Sequence, residues 1–144
     1  MDGRLCNSRI NLQKSIVLSE SQKKILSSHA KKSEPNESCA LLFGEEKDGK
    51  SIVNEVFLTE NIDGSQVNFT ISNQQLLDGY KTAESKGMEV VGIFHSHPNS
   101  DTFPSKTDQK FMQVNPVVWV IFSGTSNIFK AFILQSEIIE ISID

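Results

Sequence analysis

The sequence predicts an α+β fold, a single domain in which a central, largely antiparallel sheet is flanked by helices. Three observations lead there. Strand-like apolar segments recur along the chain, several of them joined by short turns. Helical stretches open on capping signatures instead of running on from strands. And 144 residues at 38% hydrophobic can bury one sizeable core but not two.

Taken in order, residues 1–14 read as a loosely ordered N-terminus and residues 15–144 as the domain. Ile16–Leu18 is a first short strand. Ser19-x-x-Gln22 is a capping box opening a helix to about Lys32; Ile25, Leu26 and Ala30 form its apolar stripe, and Pro35 stops it. Strands at about Ser38–Glu45 and Ser51–Thr59 flank a hairpin signalled by Asp48-Gly49. A short extended piece, Asn68–Ile71, leads to a second helix capped at Ser72 with Gln75 and stopped at Gly87.

Glu89–His97 is an apolar strand ending in polar residues. Strict alternation puts Val90, Gly92 and Phe94 on one face and Val91 and Ile93 on the other, so both faces are buried. A polar loop closed by Pro104 follows, then a helix from Ser105 through Met112. Closing strands lie near Val117–Phe122, Ile128–Leu134 and Ile138–Ile143, with Gly124 and Ser136 in the turns.

Composition narrows the partners. Net charge is −4 with no basic stripe, which argues against nucleic acid. The apolar runs fall short of a membrane span and the N-terminus lacks a signal-peptide core, so no membrane is expected and the location is cytoplasmic. Cys6 and Cys39 have no paired spacing. Cys39 belongs to an apolar strand and reads as a buried free thiol in a reducing compartment.

The chemistry concentrates in His95-Ser96-His97-Pro98, with Ser105 and Asp108 after it and Glu37 far upstream. Two of the chain's three histidines stand two apart, hence on one face near the end of a buried strand. Two imidazoles and a carboxylate are a zinc ligand set that leaves a fourth position open. Glu37 would then be the proton-transfer group for a bound water. Each residue also has an ordinary reading: Ser105-x-x-Asp108 as a helix cap, Glu37 as a solvated turn residue, His-x-His as a hydrogen-bonded strand end. Their combination favours a metallohydrolase.

Glu37-Ser-Cys-Ala-Leu-Leu-Phe-Gly44, His95-Ser-His97-Pro98, the seven residues from Pro98 to Pro104, Ser105 and Asp108 together resemble the JAMM (MPN+) metalloprotease motif. The resemblance spans roughly Ser15 to Leu134 and implies a single MPN-type domain with a zinc site at the end of a buried strand. It implies that His95, His97 and Asp108 bind one zinc ion, that Glu37 is the general base, and that Ser105 hydrogen-bonds the oxyanion. His29 stays outside the site, as a packing or hydrogen-bonding residue. The resemblance also implies a substrate class: the bond after the C-terminal Gly-Gly of a ubiquitin-like or sulfur-carrier β-grasp protein. The tail would enter extended and dock against Asp63–Ile71, with Asn68 or Phe69 in contact.

The short segments around the motif are similar to those of stand-alone prokaryotic members, archaeal ones in particular. Alternatives are a non-catalytic MPN scaffold domain and a DNA-repair-associated JAMM relative. A homodimer or an MPN partner is left open.

Overall fold

The structure is a computed structural model that describes residues 13–144. The expectations for Cys6 and for nearly all of residues 1–14 therefore lie outside the described residues. Within them the order is β1 (Ser15–Val17), α1 (Glu20–Ser33), β2 (Cys39–Lys47), β3 (Lys50–Thr59), α2 (Asn73–Ser85), β4 (Glu89–His97), α3 (Lys106–Val114), β5 (Val118–Ser123), β6 (Phe129–Leu134) and β7 (Ile138–Ile143). The α+β architecture is the one the sequence predicts.

The helices start where their caps dictate. Ser19 Oγ accepts from Gln22 N while Gln22 Oε1 accepts from Ser19 N. Ser72 caps α2 through Gln75 N, and Ser105 caps α3 with Asp108 in the reciprocal role. Each cap satisfies donors that the first helical turn cannot pair internally. In the β2–β3 turn both Asp48 (φ 54°) and Gly49 (φ 78°) are left-handed, as a two-residue hairpin with the twist of its strands requires.

The sheet is mixed and closes on itself in the order β1-β3-β2-β4-β5-β6-β7. The β2–β3, β2–β4, β5–β6 and β6–β7 pairings are antiparallel, whereas β1–β3, β1–β7 and β4–β5 are parallel. Three-residue β1 closes the ring by pairing on both sides. A segment so short carries too little periodicity to announce that role.

Closure separates two cores. The interior draws on every strand, from Ile16 and Leu42 to Phe94, Val120, Ile133 and Ile141, and on Leu26 and Ala30 of α1. The outer core joins Leu41, Phe43, Ile93, Trp119 and Phe132 to Ala83 of α2 and Met112 of α3. Among the described residues no helix is long and apolar enough to cross a membrane.

One expectation is corrected in β4. Leu42 pairs with Gly92 and Phe43 with Val90, which leaves Val91 as an extra residue. That bulge reverses the alternation: Val91 joins Phe94 in the interior, and Val90 joins Ile93 outside. A bulge depends on the partner strand, so one strand's sequence does not show it.

A second register shift, between Phe43 and Gly44, brings β3 against the Gly44 backbone. A Cβ there would overlap the Ile52 carbonyl oxygen. Gly44→Ala is expected to lower stability by about 1–3 kcal/mol, read as a fall in the urea midpoint at unchanged slope. An unshifted midpoint would show that β3 yields freely at this contact.

Candidate metal centre

The β4–β5 pairing is parallel, so the chain must cross over between the two strands, and α3 is that crossover. The helix therefore starts beside the carboxyl end of β4, where open α/β crossovers place their ligand crevices. His95 and His97 sit at that strand end and Asp108 in the first turn of α3. All three are buried.

Their donor atoms form a nearly equilateral triangle. His95 Nε2 lies 3.0 Å from His97 Nε2, and each nitrogen lies 3.1 Å from Asp108 Oδ2. Tetrahedral zinc with bonds of about 2.0–2.1 Å separates neighbouring ligand atoms by roughly 3.3 Å. The triangle is close to that size, and its donor set is one that catalytic zinc sites use. The residues fit the ion.

The surroundings prepare the donors. His97 Nδ1 donates to the Asp101 carbonyl at 2.6 Å, which leaves Nε2 with its lone pair facing the triangle. Ser123 Oγ steadies the same loop by donating to Ser100 O at 2.8 Å. His95 is oriented by rings: Phe69 stacks on it at 4.8 Å and 24°, and Trp119 meets it edge-on at 5.7 Å. Asp108 Oδ2 also accepts from Ser105 N at 2.9 Å.

Charge follows position. Burial favours the neutral form of His95 and lowers its pKa, with Asp108 offsetting only part of the effect. In His97 burial pulls down as well, but the hydrogen bonds to Asp108 and Asp101 outweigh it and leave the value raised. Burial would raise Asp108, yet the two imidazoles hold it far below the usual carboxylate range.

Glu37 is 3% exposed, and its Oε1 has no hydrogen-bond partner among the described residues. Burial pushes its carboxyl up to about 8; His97 lowers it and Asp108 adds to the rise. A buried carboxyl of this kind ionises at neutral pH only with positive charge nearby, which a cation in the triangle would supply.

Glu37, His95, His97 and Asp108 thus meet in one site, and Ser105 stands at its rim, exposed. Ser105 Oγ accepts from Asp108 N at 3.0 Å and retains its own hydrogen to donate. His29 lies outside, its Nε2 within 3.0 Å of Cys39 O and 3.1 Å of Thr59 O, where it ties α1 to the β2–β3 ladder. Burial pushes the Cys39 thiol up to about 11 despite a hydrogen bond from Thr59, so it is an inert buried thiol.

Asn61 is a structural residue that organises the loop beside Glu37. Its Nδ2 donates to Glu37 O and Asn68 O, both at 3.0 Å, and its Oδ1 accepts from Asp63 N and Thr70 N. The segment from 60 to 71 is consequently an irregular loop held by Asn61, and the extended piece expected at Asn68–Ile71 forms no strand. Phe69 within it is buried and stacks on His95. An asparagine next to a turn signals local bonding; nothing in its spacing points to residue 37.

The chain matches the family of prokaryotic homologues of the JAB domain over residues 19–134. It is 36% identical over 101 residues to a desampylase of Pyrococcus furiosus, a match covering 70% of this chain and 69% of that protein. It is 28% identical over 89 residues to a desampylase of Haloferax volcanii, covering 62% and 63% respectively. Among solved structures, protein DSY2949 from Desulfitobacterium hafniense is similar with a TM-score of 0.82 and 28% identity, over 90% of this chain and 91% of that one. A protein from Salinibacter ruber shares the fold at a TM-score of 0.67 and 23% identity, over 92% of each chain. The match to the family runs through α1, the Glu37 segment, both histidines and Asp108; the chain belongs to the prokaryotic JAB-domain family and is a metalloprotease of the JAMM type.

Proposed function

We propose that the protein is a zinc-dependent (iso)peptidase acting after the C-terminal Gly-Gly of a ubiquitin-like or sulfur-carrier β-grasp protein. The observation that carries this reading is the His95–His97–Asp108 triangle with the Glu37 carboxyl buried beside it, its Oε1 without a hydrogen-bond partner among the described residues. The two desampylases to which the chain is similar support the substrate class.

His95, His97 and Asp108 would hold one zinc. When bound, zinc supplies Lewis acidity that lowers the pKa of a coordinated water from 15.7 to about 7. Glu37 Oε1 accepts the proton as the water oxygen attacks the scissile carbonyl, and the same carboxyl returns it to the departing amine. Ser105 Oγ donates to the oxygen on which negative charge develops.

The substrate tail binds extended. The tail runs against the 60–71 loop, where Val67 is 70% and Ile62 58% exposed.

The test is zinc content together with cleavage of a Gly-Gly-tailed β-grasp–lysine conjugate, with and without chelator. One zinc per chain and chelator-sensitive cleavage are expected; metal-free protein that still cleaves would refute the mechanism. Ser105→Ala should keep its zinc and lose about 10²–10³-fold in turnover, the usual value of one oxyanion donor. Turnover near wild type would remove Ser105 from the chemistry and leave it only as the α3 cap.

A further inference from the structure

We propose that Ser96, the residue between the two histidines, is a positioning residue whose hydroxyl takes one rung of the β2–β4 ladder and so sets where Glu37 stands. The inference rests on the role proposed for Glu37 above. The paired register of β2 and β4 runs to Cys39 opposite His95. One step further on, Ser96 N donates to Ser38 O at 3.1 Å. The return bond, from Ser38 N, goes to Ser96 Oγ at 2.9 Å. The two hydroxyl oxygens are also 2.9 Å apart, and both serines are buried.

The position matters because Glu37 is the next residue. Its backbone is anchored on the far side by Glu37 N donating to Ser65 O at 2.8 Å and by Asn61 Nδ2 donating to Glu37 O at 3.0 Å. Ser96 supplies the near anchor, and it lies in the strand that carries both histidines. Base and metal donors are therefore spaced through one backbone bond and one side-chain oxygen of the Ser38–Ser96 pair. In an ordinary hydrogen-bonded antiparallel pair the two residues exchange both backbone bonds. Here the hydroxyl takes the place of one carbonyl, which holds Ser38 at side-chain reach from β4.

The arrangement is asymmetric, and that makes it testable. Ser96→Ala leaves the buried Ser38 N–H without its acceptor, whereas Ser38→Ala removes only the contact between hydroxyls. A pair serving stability alone would lower the melting temperature, more in Ser96→Ala than in Ser38→Ala, and leave turnover per zinc-loaded chain unchanged in both.

The experiment uses the full chain loaded with zinc. It measures zinc per chain, kcat and KM on a Gly-Gly-tailed β-grasp–lysine conjugate, and hydrogen exchange of the Ser38 amide. Misplacement of a catalytic group by about 1 Å can cost ~10²-fold, so Ser96→Ala should retain zinc and KM while kcat falls ~10–100-fold. Ser38→Ala should lose far less, and Ser96→Thr, which keeps the hydroxyl, should restore most of kcat. In a Glu37→Gln background Ser96→Ala should cause no further fall. Should Ser96→Ala fold poorly, Ser96→Cys, of similar size and a weak acceptor, carries the same expectation.

Equal effects of Ser96→Ala and Ser38→Ala on kcat, or a loss carried by KM or by zinc, would overturn the proposal. If zinc-loaded wild type leaves the conjugate intact, the peptidase reading fails on its own account. The exchange measurement then decides the clamp: a Ser38 amide that opens faster in Ser96→Ala supports it, and an unchanged one rejects it.

Discussion

Glu37→Gln should bind metal as the wild type does and lose about 10²–10⁴-fold in turnover, the range that a positioned general acid–base contributes. The substitution keeps size and one acceptor oxygen but cannot take up a proton. Glu37 is not among the three donors of the triangle, so metal content should not change. Full activity in this variant would eliminate Glu37 from the mechanism.

The same variant carries a stability signature in chelated protein. The Glu37 carboxyl is raised from 4.5 to about 8 by burial. Between those values the folded protein holds a proton that the unfolded chain has released. Its contribution to stability is full below about pH 4.5, falls as pH rises towards 8, and is gone above. His97, also raised, acts in the same direction, whereas Asp108, lowered, acts only on the acid side. Comparing the two proteins isolates Glu37: metal-free Glu37→Gln should gain on wild type steadily from pH 5 to pH 8. Parallel stability curves would show that the carboxyl is not desolvated in the metal-free fold.

Asp108→Ala should abolish both metal retention and activity, with a second loss that is independent of metal. Removing the carboxylate takes one corner from the triangle, and it also leaves Ser105 N without its acceptor at the start of α3. A hydrogen bond to a charged group is worth about 1.5–3 kcal/mol, so even chelated Asp108→Ala should unfold earlier than chelated wild type. Added zinc should raise the melting temperature of wild type, because a ligand at 1,000 times its Kd stabilises by about 4 kcal/mol, and should leave Asp108→Ala unmoved. Ser105→Ala is the control, since it disturbs the cap but keeps all three donors. An Asp108→Ala protein that still shows a zinc-dependent shift would place the metal elsewhere.

Some of this site was plain in the residues. His95 and His97 share a face because strand side chains repeat every two residues, and Ser105-x-x-Asp108 opens a helix by local hydrogen bonding; neither depends on distant parts of the chain. The bulge that turns Val90 and Val91 over was not legible, because it is a property of the β2–β4 pair. The role of Asn61 is hidden for the same reason: its partner Glu37 is 24 positions away, and no periodicity encodes that contact. Phe69 suited a substrate contact by its place in the loop, and only packing shows it stacked on His95.

The amino-acid sequence by itself determined the elements, the helix starts, the hairpin and the identity of the candidate ligands, since these follow from local propensity and short spacings. Tertiary structure alone decided how the sheet closes through β1, how the parallel β4–β5 crossover carries Asp108 back to the histidines, and how Glu37 becomes buried beside them. Those outcomes depend on contacts between residues far apart in the chain. It is burial, reached only on folding, that turns an ordinary carboxyl into one held near neutral pH.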